Sequence, residues 1–114
     1  MAKTQVRGEV VFPAGTPSFG GAEMIIRIED VGLLGMPAQV ISEKNASNIA
    51  YQGAPLSFSV DSDFPESGGS YNLSVHIRTR GGSDINKGDF ITKRGYSISS
   101  NDRLDNLRIE VEVV

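Results

Sequence analysis

Cysteine is absent from the chain. Its absence excludes disulfide bonds, zinc–thiolate sites, iron–sulfur clusters and thiol catalysis. An excess of positive charge is also missing: 11 Lys and Arg stand against 14 Asp and Glu, for a net charge of -3 and a pI near 5.0. A nucleic-acid binder needs a basic face to neutralise phosphates, so no nucleic-acid partner is expected. No stretch approaches the roughly 18 apolar residues of a transmembrane segment. The opening MAKTQVRGEVV runs straight into a strand pattern, with no apolar core of a signal peptide and no cleavage site. As written the chain reads as cytoplasmic; with a signal segment trimmed, it would be periplasmic or outer-membrane-associated. Nowhere does an apolar period of 3.6 persist, so helix is limited to a short turn.

What is present is a chain of 114 residues, the size of one domain, punctuated by 13 glycines and 5 prolines. That length buries roughly two-thirds of its unfolded surface, enough for a core without covalent staples. The period-2 alternation of half-buried strands recurs along it. The first strand covers about Thr4 to Phe12, with Val6, Val10 and Phe12 on one face; Gly8 marks a bulge or a close approach by a neighbouring strand. Pro13 ends it. Ala14 to Gly21 reads as a loop, with Phe19 anchored over the end of the core. Ala22 to Val31 is the second strand, with Met24, Ile26 and Ile28 alternating with Glu23, Ile25, Arg27 and Glu29. The third covers about Pro37 to Lys44; Val40 beside Ile41 blurs its alternation and suggests an edge or a switch between sheets. Asn45 to Ala50 reads as a bend or a broken continuation.

The fourth strand covers about Ala54 to Asp61, and the fifth Ser70 to Arg80. In the fifth, Tyr71, Leu73, Val75 and Ile77 point in, while Asn72, Ser74, His76, Arg78 and Arg80 point out. The sixth is short, Asp89 to Lys93, and Tyr96 and Ile98 lie in an irregular extended piece. The seventh, Leu107 to Val114, alternates to the last residue. About seven short strands separated by turns predict an all-β class and a single-domain antiparallel β-sandwich over residues 1–114. A barrel of the same strand count would show a similar pattern; the short strands and their odd number favour the sandwich.

Chemistry-bearing constellations are few. His76 is the only histidine, and among Ser74, Arg78 and Arg80 it reads as an ordinary surface residue. The acidic turn Asp61, Asp63, Glu66 lacks the alternating acids of a calcium loop and is broken by Pro65. The paired glycines at 68–69 and 81–82 lead into no helix and lack the lysine of a phosphate loop. Arg78, Arg80, Lys87, Lys93 and Arg94 form a basic patch if the fifth and sixth strands pair, but Asp84 and Asp89 beside them favour a mixed, solvated face. Asn45-Ala46-Ser47 and Asn72-Leu73-Ser74 match the glycosylation sequon, which carries no weight without a secretory signal. No nucleophile–base pair, paired carboxylate or metal set emerges, so no catalytic or metal residues are assigned, no cofactor is implied, and an enzyme is not expected. Leu33, Leu34 and Met36 are unusual for a turn. They either cap an open end of the sandwich or form an exposed patch, which would imply a partner.

These segments together resemble the YbaY/YscW-type lipoprotein family. The match lies in VRGEVVFP with its Gly8-Glu9-Val10 step, in AEMIIRIEDV ending at Asp30-Val31, and in MPAQVISEK opening at Pro37-Ala38. It continues through PLSFSVDSDFPESGGSYNLSVHIR and the closing RIEVEVV. Gly35-Met36 precedes Pro37 where the family usually has an aspartate, and the sequence shows neither a signal peptide nor a lipidated cysteine. The resemblance implies a small β-sandwich acting through protein contacts, like the pilotin-type chaperones that bind the C-terminal segment of a secretin. It supplies no catalytic residues.

The resulting expectation is a non-enzymatic, protein-binding or chaperone-like domain with a protein or peptide partner. Phe19, Leu33, Leu34 and Met36 are the candidate contacts. The alternative is a self-associating structural domain, a homodimer through an edge strand or the apolar turn.

Overall fold

The computed structural model describes residues 4–30, 39–62, 71–79, 88–93, 96–98 and 105–114. Within them lie nine strands: β1 (Thr4–Val11), β2 (Phe19–Asp30), β3 (Gln39–Tyr51), β4 (Leu56–Ser62), β5 (Tyr71–Arg78), β6 (Phe90–Ile91), β7 (Tyr96–Ile98), β8 (Leu107–Glu110) and β9 (Glu112–Val113). They form two sheets. The small one has the order β4-β1-β8; the large one has the order β3-β2-β5-β6-β9, with β7 also paired to β5. The expected all-β sandwich is therefore present, and the C-terminal half departs from expectation in three details. The sixth strand shrinks to two residues. The piece around Tyr96 forms a strand of its own. The C-terminal run is split at Val111, because β8 pairs with β1 in the small sheet and β9 with β6 in the large one.

Pairing is antiparallel throughout except between β1 and β8, which run parallel with Gly8 opposite Leu107. Gly8 is there because β8 passes close over it. A Cβ at this position would sit 2.8 Å from the Leu107 Cβ and nearer still to the Leu107 carbonyl oxygen.

The core lies between the sheets. Val6 and Val10 of β1, Phe58 and Val60 of β4, and Ile109 of β8 meet Ala22, Met24, Ile26 and Ile28 of β2 and Tyr71, Leu73, Val75 and Ile77 of β5. All of these are buried, as the period-2 pattern predicts. Phe19 heads β2 rather than lying in a loop. Its ring stacks on Tyr51 and Phe90 at 5.7 Å between centroids and meets Phe12 edge-on at 5.6 Å. It does anchor one end of the core.

The two long sides of the sandwich differ. On one side the chain itself closes the gap: Val111 N–H donates to the Val11 carbonyl at 3.1 Å and is followed directly by β9 in the other sheet. On the opposite side β3 and β4, the terminal strands of their sheets, are joined by side chains. Ser42 Oγ donates to Ser62 Oγ at 2.8 Å, and Lys44 Nζ donates to the Ser59 carbonyl at 2.8 Å.

A groove between two sheet edges

Bulges in the β2–β3 ladder shape this second side. In a regular strand, residues 46 and 49 would point to opposite faces. Here Ala46 lies opposite Met24 and Ile49 opposite Ala22, so Ser47 and Asn48 together face the single residue Glu23. The extra residue brings Ala46 and Ile49 to the same inner face. Asn48 takes φ = 56°, the one positive φ outside glycine among the described residues. Asparagine tolerates this left-handed conformation better than most side chains. The run Asn45 to Ala50, read from sequence as a bend or a broken continuation, is the continuation, a bulge inside one strand of 13 residues. A second shift, between Phe19 and Ala22 at Gly21 (φ 67°), turns Phe19 and Ala22 to the same side.

The result is an open groove of about 400 Å³ between β3 and β4. Met24, Ile26, Ala46, Ile49 and Phe58 supply its apolar walls. Lys44 occupies an inward-facing position of β3, opposite Ile26, and with Arg7, Ser57 and Ser59 it forms the polar rim. A lysine at an inward position of an edge strand is a familiar guard against unwanted strand pairing. Here it also spans the sheets and closes one end of the groove.

A second depression, about 720 Å³, lies where β1 ends and the chain switches sheets at Val111. Lys93 and Arg108 share it with Glu110 and Glu112 around Val11, Phe12 and Pro13. Its mixed charge and shallow polar lining give no single ligand chemistry. Beside it the Tyr96 hydroxyl accepts from Glu110 N–H at 2.7 Å and donates to the Glu110 carbonyl at 3.2 Å, occupying the free edge of β8.

His76 differs from its sequence reading. It points outward, as alternation predicts, but only 18% of its side chain is exposed. Its Nε2 lies 3.0 Å from Oδ2 of Asp89, whose side chain is fully buried. Asp89 Oδ1 also accepts from Thr79 N–H at 3.1 Å. Asp89 is therefore no part of a solvated face; it ties the start of β6 to β5. Next to His76, Ile25 of β2 is buried on the same outer face, flanked by the ion pairs Arg27–Glu43 and Glu23–Arg78. Alternation identifies a face; it does not tell whether that face is covered. The histidine meets one carboxylate whose oxygens already hold structural donors. Among the described residues no group of three His, Asp or Glu side chains could hold a metal ion.

Of the four contact residues expected from sequence, Phe19 belongs to the aromatic cluster, and Leu33, Leu34 and Met36 lie outside the described residues. The groove residues were not among them. Their one signal in the sequence is the Asn-rich interruption of an otherwise extended run, which marks a bulge as well as a bend.

A family model described as type III secretion system lipoprotein chaperone (YscW) matches residues 1–110. The fold is similar to that of an alternative pilotin from the type II secretion system of Vibrio cholerae. The TM-score is 0.77 at 22% identity, covering 98% of this chain and 97% of that chain. At that identity the likeness speaks for the fold alone. No curated protein matches.

Proposed function

Because this chain belongs to the YscW family of type III secretion system lipoprotein chaperones, we propose that it is a chaperone-like binding protein of a secretion apparatus, holding a segment of a partner protein in the β3–β4 groove. The observation that carries this reading is the groove itself. Half-buried Ala46 and Ile49 of β3 stand at its mouth over the buried Met24, Ile26 and Phe58, on the long side that no strand closes among the described residues. A segment laid there covers Ile49, Ala46 and Phe58 and completes the side of the sandwich. Its site of action is the one its family implies, the periplasmic side of the cell envelope. No helix among the described residues is long and apolar enough to cross a membrane. Leu33, Leu34 and Met36, in the connection between β2 and β3, are proposed as a further contact.

Self-association through β3 is the competing reading. Two bulges in β3 and the inward Lys44 argue against it, since a bulged, charged edge is a poor template for a second copy.

Replacing Ala46 with Trp tests the proposal. The indole fills the groove from its wall. The variant should melt like the parent protein yet lose co-purification of secretion-apparatus proteins from the native host. Undiminished co-purification by a folded variant contradicts the groove reading and leaves Leu33→Ser/Leu34→Ser as the pair to test next.

A further inference from the structure

The charges around the groove are uneven, and this bears on what the partner segment carries. The described cations fall into three settings. Arg27 and Arg78 form ion pairs with Glu43 and Glu23. Lys93 and Arg108 line a depression with Glu110 and Glu112. Arg7 and Lys44 stand at the groove, whose lining contains no acidic residue. Lys44 is fixed by its bond to a backbone carbonyl, which directs its charge across the groove but does not neutralise it. Arg7 lies across β1–β4 from Ser59 on the solvent side of the small sheet, exposed, and reaches the rim past β4. Among the described residues no hydrogen bond or ion pair engages its guanidinium. Glu9 and Asp61 share Arg7's solvent face of the small sheet but line no part of the groove, where the two cations flank an apolar floor with no acid in the lining.

We infer that the groove takes an acidic amphipathic segment, with its apolar residues on the half-buried Ala46 and Ile49 and carboxylates paired to Arg7 and Lys44. This inference rests on the groove reading above and specifies the partner's chemistry. Arginine suits the bidentate part of such a contact, and lysine acts as a point charge. A basic segment of the same apolar spacing places like charges against both cations and is rejected.

Two synthetic 18-residue peptides serve as probes. Both carry leucine at i, i+3, i+4 and i+7; one has glutamate and the other lysine at the flanking positions. Binding to the full chain is read by fluorescence anisotropy at low and at physiological salt. The acidic peptide should bind on the order of tenfold more tightly than the basic one, with the difference shrinking as salt rises. Arg7→Glu should weaken the acidic peptide and strengthen the basic one. Arg7 is exposed, so that variant keeps the fold, and Lys44→Glu added to it should reverse the preference. Equal affinity for both peptides, lost in Ala46→Trp, keeps the groove and overturns the acidic specificity. No binding of either peptide, or binding indifferent to Ala46→Trp, overturns the groove reading and the inference with it.

Discussion

Asp89 shows what a single side chain holds in this fold. Its carboxylate is fully buried and accepts from the His76 ring and from the Thr79 amide, joining two strands that share only two residue pairs of backbone ladder. Asp89→Ala leaves a buried amide and a largely covered imidazole unsatisfied, so it should lower unfolding stability by about 3 kcal/mol in denaturant titrations. His76→Gln, which keeps a donor for the carboxylate, should cost much less. Equal losses would mean that the bond is incidental. None of this is legible at the level of the residue string. The alternation around His76 placed it correctly on the outer face, but the carboxylate that meets it is 13 positions away. Burial of an outward face depends on what lies over it, which period-2 patterning does not encode. Val6, Val10, Leu73 and Ile77 were readable because they face the core between two sheets, where alternation and burial coincide.

Two elements carry more than their patterning suggests. β1 accepts a parallel neighbour because Gly8 leaves room for Leu107. Gly8→Ala should push β8 away and lower stability by roughly 2 kcal/mol, the usual size of an overpacking penalty. A thermal melt indistinguishable from the parent would show that β8 yields without cost. β3 builds the groove through its bulge. Asn48→Val forces a β-branched residue into φ = 56°, which should destabilise the protein by about 1–2 kcal/mol and weaken groove binding together. Asn48→Gly should preserve both; if Asn48→Val is neutral, the bulge has moved and Ala46 no longer shares a face with Ile49. The strands themselves were legible wherever a two-residue period ran unbroken. The bulges were not, because one inserted residue looks the same in sequence as a bend. The groove residues therefore carry no distinct signal in the sequence, whereas the apolar run from Leu33 to Met36 does.

At the scale of the molecule, the sandwich is asymmetric. The C-terminal strand passes from one sheet to the other and seals one long side, while the other is held by Ser42–Ser62 and Lys44–Ser59 and left apolar beyond them. The fold and the family were both within reach of the sequence, through short alternating strands and the spacing of Gly8-Glu9-Val10, Asp30-Val31 and Pro37-Ala38. The open side was not, because it depends on which strands end each sheet. One measurement reports on the open side most directly. A photoreactive amino acid is placed at the exposed Ser57 on the groove's rim and, separately, at Gln5 on the exposed face of β1, in cells that carry the secretion apparatus. The groove position should cross-link to one protein of that apparatus through an acidic, amphipathic segment, and Gln5 should give no such product. Cross-linking at Gln5 but not at Ser57 would contradict the account.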